Sequence, residues 1–68
     1  MTVYILMPYG FDHIVGVYED IDNAIDRGQS LIKCDSYYND EECIIYEKGT
    51  DCPRYFVCEE QVIAKLPY

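Results

Sequence analysis

The chain has no tryptophan, one histidine and only five Lys/Arg among its 68 residues. It has no Cys-x-x-Cys knuckle, no glycine-rich phosphate loop and no nucleophile elbow. Each absence excludes a chemistry. Five scattered cations, Arg27, Lys33, Lys48, Arg54 and Lys65, form no basic stripe, so direct binding to a nucleic-acid backbone is not expected. Anionic membrane surfaces are excluded on the same ground. No apolar run approaches the roughly 20 residues that span a bilayer. The segment MTVYILMPYG lacks a positive leading region, which predicts no cleaved signal peptide and a cytoplasmic location.

What is present is acid. Thirteen Asp/Glu give a net charge of −8, while half of the residues are hydrophobic and eight are tyrosines. That hydrophobic content predicts a folded chain. The length predicts a single domain over residues 1–68 with a small core. Cys34, Cys43, Cys52 and Cys58 are separated by eight, eight and five residues. This spacing is a poor zinc pattern and favours reduced thiols, with a disulfide left open. Asp20, Asp22 and Asp26 resemble part of a calcium loop but lack its glycine and terminal Glu, so no metal or other cofactor is expected.

Hydropathy patterning gives the fold. Val3–Met7 and His13–Tyr18 predict two strands joined through Pro8–Asp12, and Gly16 signals a bulge or a close backbone approach within the second. Asp20 is placed to cap a helix. From Ile21 onward, Ile21, Ala24, Ile25, Gly28, Leu31 and Ile32 recur at helical spacing on one face, and Lys33 would complement the helix dipole at its end. Asp35–Glu42, DSYYNDEE, holds four carboxylates in eight residues and reads as an exposed loop. Cys43–Tyr46 predicts a third strand, Gly49–Pro53 a turn, and Arg54–Cys58 a fourth strand. Past Glu59-Glu60, Gln61–Leu66 predicts a fifth strand or a continuation. The order β-β-α-β-β(-β) describes an α+β domain, a two-layer fold with one helix on one face of an antiparallel sheet.

The first, third and fourth strands are apolar at both alternating sets of positions. A sheet wetted on one side should carry a polar set. The second face, or a sheet edge, is therefore expected to be buried by something else, most simply in a homodimer.

No catalytic constellation appears. His13 and Ser30 lie on different elements, and the carboxylates are predicted on polar faces or in loops rather than in the desolvated pocket that acid/base work needs. The chain is read as a non-enzyme. Its acids are the remaining feature. Asp22 and Asp26 stand about 6 Å apart on one helix face, comparable with phosphate spacing along a nucleic-acid strand. Asp35, Asp40, Glu41 and Glu42 surround Tyr37 and Tyr38, and tyrosines anchor protein interfaces. These eight residues are the candidate contacts to a protein partner with a basic surface, as in a nucleic-acid-handling protein.

Val3-Tyr4-Ile5-Leu6, Gly16-Val17-Tyr18-Glu19 feeding Asp20 to Ile25, and the DSYYNDEE segment together give the chain a resemblance. It resembles small acidic phage-encoded proteins that antagonise host functions, such as anti-restriction and anti-CRISPR proteins. The resemblance implies an inhibitor that works by binding rather than turnover, in the host cytoplasm. It carries over no functional residue, because no motif is matched position by position. A competing expectation is a small oligomeric ligand binder that sequesters a nucleotide against tyrosines, and the blandest is an accessory domain whose acids only keep it soluble.

Overall fold

The computed structural model describes residues 1–62. The elements run β1 (Thr2–Pro8), β2 (Gly16–Tyr18), α1 (Ile21–Leu31), β3 (Ser36–Asn39), β4 (Ile44–Glu47) and β5 (Cys52–Gln61). The five strands form one sheet of order β2-β1-β5-β4-β3, and every neighbouring pair is antiparallel. Helix α1 lies across one face. Among the described residues the fold is α+β, one helix on one face of an antiparallel five-stranded sheet, the class that the patterning predicts with four or five strands.

The helix starts where a side chain can satisfy its free amides. Asp20 is extended and its Oδ1 accepts from the Asp22 N–H at 3.2 Å, the usual cap geometry. Ala24 and Gly28 are buried. A Cβ placed on Gly28 would stand 2.5 Å from Ile45 Cδ1 and 3.1 Å from Leu6 Cδ1. The missing side chain is what lets the helix sit this close to β1 and β4. The core is Leu6, Ala24, Ile32, Ile45 and Val57, with Tyr4, Val15, Tyr18, Ile21, Ile25, Tyr38 and Tyr55 packed against it. Leu6 and Ile45 are fully buried.

Several boundaries differ from the sequence-based expectation. The helix ends at Leu31, and its last turn has no basic residue. Ile32 turns extended and is buried in the core, so Lys33 falls beyond the helix instead of at its dipole. The second strand is only Gly16–Tyr18. His13 and Ile14 belong to the preceding loop, although the Val15 N–H still bonds the Leu6 carbonyl at 2.8 Å. At Gly16 the register is regular, and the crowding is with a side chain: a Cβ there would fall 2.6 Å from the Tyr18 hydroxyl.

DSYYNDEE is the largest correction. It is not a loop throughout, because Ser36–Asn39 forms the edge strand β3. Tyr37 pairs with Tyr46 and Tyr38 with Ile45, and these aromatic cross-strand pairs outweigh the local charge. Asn39 then makes the turn, its Oδ1 accepting from the Glu41 and Glu42 N–H groups at 3.0 and 3.1 Å. Cys43 sits in that turn at φ 62°, not in a strand. Glu59-Glu60 does not interrupt β5, which pairs with β1 through Gln61. The expected strand over Gln61–Leu66 lies, from residue 63 on, outside the described residues. A register shift between Ile45 and Tyr46 leaves Arg54 without a Cα partner on β4. Pro53 stands beside this bulge, a position that tolerates its missing N–H.

Candidate open-face binding surface

Strand alternation sends Tyr4, Leu6, Tyr38, Ile45, Tyr55 and Val57 toward the helix. The other set points away from it: Val17 on β2, Val3, Ile5 and Met7 on β1, Phe56, Cys58 and Glu60 on β5, Ile44 and Tyr46 on β4, and Tyr37 on β3. The registers bring these into contact rows. Val17, Ile5 and Cys58 form one row, Met7, Phe56 and Ile44 another, and Tyr46 and Tyr37 a third. No described helix covers this face. The apolar double set seen in the sequence is therefore real; on the side away from the helix Val17 and Tyr37 are exposed, Val3 is buried and Ile5, Met7, Ile44, Tyr46, Phe56 and Cys58 are half-buried. Tyr9 extends the surface past the end of β1, its ring edge-on to Phe56 at 6.4 Å between centroids.

At the β3 end, two tyrosines stand against two carboxylates. The rings of Tyr37 and Tyr46 stack at 5.4 Å. The Tyr37 hydroxyl donates to Asp51 Oδ1 at 2.9 Å, and the Tyr46 hydroxyl to Glu42 Oε1 at 2.6 Å. Losing either proton would break a bond and set a phenolate beside a carboxylate. The Tyr46 hydroxyl is accordingly pushed up to about 12, first by its bond to Glu42. Tyr37 is raised in the same way by Asp51. Both hydroxyls stay neutral donors throughout the physiological range.

At the other end, the β1–β2 loop bounds a hollow of about 510 Å³. Ile5, Met7, Ile14 and Cys58 supply apolar lining, and Asp12, His13 and Glu60 the polar groups. Burial, and next the Glu60 charge, raise the Cys58 thiol above its ordinary value. The thiol is thereby kept protonated.

The sequence-derived site residues do not gather in one place. Asp22 and Asp26 are exposed on α1, in the layer opposite the open face. Asp35 precedes β3, whereas Asp40, Glu41 and Glu42 follow it, so the strand separates them by roughly 17 Å. Tyr37 is on the open face, but Tyr38 is not beside it. Adjacent strand residues point to opposite sides, and Tyr38 packs against the core. Burial first, and next a bond with Cys43, push Tyr38 up to about 12. Of the eight candidates, only Tyr37 and Glu42 join the tyrosine cluster. Sequence reasoning missed Tyr46 and Asp51 as their partners, because Tyr37 meets both only through the β3–β4 register and Glu42 meets Tyr46 only through the turn at Cys43. It also missed the hollow, whose lining comes from two strands and a loop.

No family model, curated protein or solved structure matches the chain. The site's own chemistry therefore carries the functional reading. Among the described residues no group of three or more His, Cys, Asp or Glu is placed to hold a metal ion. None of the polar or charged residues described is buried, and all four thiols are free. No described helix is long and apolar enough to cross a membrane.

Proposed function

We propose that this protein is a small acidic, non-enzymatic binding protein, an inhibitor or adaptor that docks the open face of its sheet on a basic protein surface in the cytoplasm. One observation carries the reading. The open face has an apolar and tyrosine centre, carboxylates at both ends, and no cation at any open-face ladder position described. Arg27 is on α1 and Lys33 follows it, Lys48 is in the β4–β5 turn, and Arg54 is held by Glu47. Aromatic centres with a polar rim are the common anatomy of protein interfaces. The host-antagonist role implied by the sequence resemblance belongs to this proposal, with the partner a nucleic-acid-handling protein.

The other readings fit this face less well. In a homodimer with two open faces stacked, Glu42, Asp51, Asp12 and Glu60 would add like charge to like charge. An anionic nucleotide would meet the same carboxylates without a cation to receive it. A mimic of a phosphate row would need Asp22 and Asp26 in line with Asp40–Glu42, which sit at a sheet edge rather than on the helix.

The test is tagged capture from nuclease-treated bacterial lysate at low and high salt, with two charge-reversed variants. Glu42→Lys with Asp51→Lys should abolish capture of a stoichiometric partner, and Asp22→Lys with Asp26→Lys should leave it. Capture should weaken as salt rises, because exposed charge pairs are screened. Loss of the partner only in the helix variant would move the interface to α1 and overturn the open-face assignment.

A further inference from the structure

The hollow at the β1–β2 end of the open face has a composition that selects a ligand class. Its apolar wall comes from neighbouring strands, since Ile5 of β1 is in register with Cys58 of β5. Met7 continues the wall on β1, and Ile14 closes it from the loop. The charged groups at this wall are Asp12 and Glu60, with His13 beside them, and neither Lys nor Arg lines it. About 510 Å³ falls within the range of roughly 300–1,000 Å³ typical of small-molecule sites.

We infer that this hollow is a binding site for an organic cation with an apolar body, an amine or guanidinium on a hydrocarbon or aromatic stem. The stem lies on Ile5, Met7 and Ile14, and the cationic head meets Asp12 and Glu60. An anion finds two carboxylates and no counter-charge. A neutral apolar molecule gains nothing from the two carboxylates, which stay exposed to water. The neutral Cys58 thiol adds apolar wall rather than a third charge. A free amine and the Lys or Arg side chain of a protein share this chemistry. The inference rests on the hollow alone and does not depend on the open face meeting a protein.

Methyl and amide NMR on the full chain tests it with three probes: phenethylamine, phenylacetate, and the capped peptide acetyl-Ile-Arg-Ile-amide. At least one cationic probe should shift Ile5, Met7 and Ile14, with a preference over phenylacetate of about fivefold, the size two partly exposed ion pairs supply. Response to phenethylamine alone assigns free amines. Response to the peptide alone assigns a basic side chain, and response to both assigns the shared cation. Asp12→Asn with Glu60→Gln should preserve the spectrum of the fold and erase the preference. Equal binding of phenylacetate, shifts confined to other parts of the sheet, or a preference that survives the double substitution would each overturn the inference. Failure to capture a protein from lysate would leave this result unaffected, so the two proposals fail separately.

Discussion

Gly28→Ala combined with Ile45→Val is the sharpest probe of how the helix is seated. Alanine is the better helix former by about 1 kcal/mol, so an unobstructed Gly28→Ala change would stabilise the protein. Here the new Cβ would lie 2.5 Å from Ile45 Cδ1, whereas carbon atoms in good contact are about 3.5–4.0 Å apart. Ile45 and Leu6 are both 0% exposed, so the displaced methyl has no solvent to move into. Overpacking of this kind costs about 1–3 kcal/mol. Set against the helix gain, Gly28→Ala should destabilise by up to about 2 kcal/mol. Ile45→Val removes the obstructing atom, and alone should cost about 0.5–1.5 kcal/mol. In the double variant the added Cβ occupies the vacated space, so the pair should recover at least 1 kcal/mol relative to the sum of the single changes. Urea unfolding followed by far-ultraviolet circular dichroism reads this directly, since a slope of about 1 kcal/mol/M turns 1 kcal/mol into a midpoint shift of about 1 M. A stabilised Gly28→Ala, or additive effects within about 0.3 kcal/mol, would refute the close seating of α1.

Three further outcomes are expected. Tyr46 is pushed up to about 12 from an ordinary 10.0, so its contribution to stability is intact below pH 10 and lost as pH rises through about 12; Glu42→Gln should bring the phenolate transition, read by ultraviolet absorbance, back toward 10, and an unmoved transition would reject the pair. Glu47 is held below its ordinary carboxylate range, first by the Thr50 hydroxyl and next by Arg54, so its contribution is present above pH 4.5 and lost as pH falls through the lower folded value; Thr50→Val should raise its NMR titration midpoint. Asp20→Ala removes the helix cap and should cost about 1 kcal/mol, a fall in Tm of roughly 4–8 °C in a domain this small, while Asp20→Asn should restore most of it.

The helix was legible because its signal is local. Apolar spacing from Ile21 and the acid at Asp20 act within a few residues, and neither needs the sheet. The apolar double set on β1, β4 and β5 was equally legible, and it marked a second apolar sheet face, expected to be buried by a partner, before any strand was paired. Strand β3 was not legible. Its four residues sit among carboxylates, and they become a strand only when Tyr37 and Tyr38 find Tyr46 and Ile45. The tyrosine cluster was hidden for the same reason: Glu42 and Asp51 reach their tyrosines across turns whose shape depends on Cys43 and Asp51 in left-handed conformations, at φ 62° and 52°.

The lengths of the strands carry one more consequence. The sheet tapers from ten residues in β5 to four in β3 and three in β2. Its two borders therefore present few unpaired amides to a passing chain. Strand β3, the tyrosine-bearing border, is bracketed by Asp35 on one side and by Asp40, Glu41 and Glu42 on the other. A second sheet that tried to extend the ladder there would have to bring its own charge against all four, and such guarded borders resist fibril growth. Neutralising those carboxylates would shorten the time the protein stays dispersed at high concentration, even with the folded structure intact.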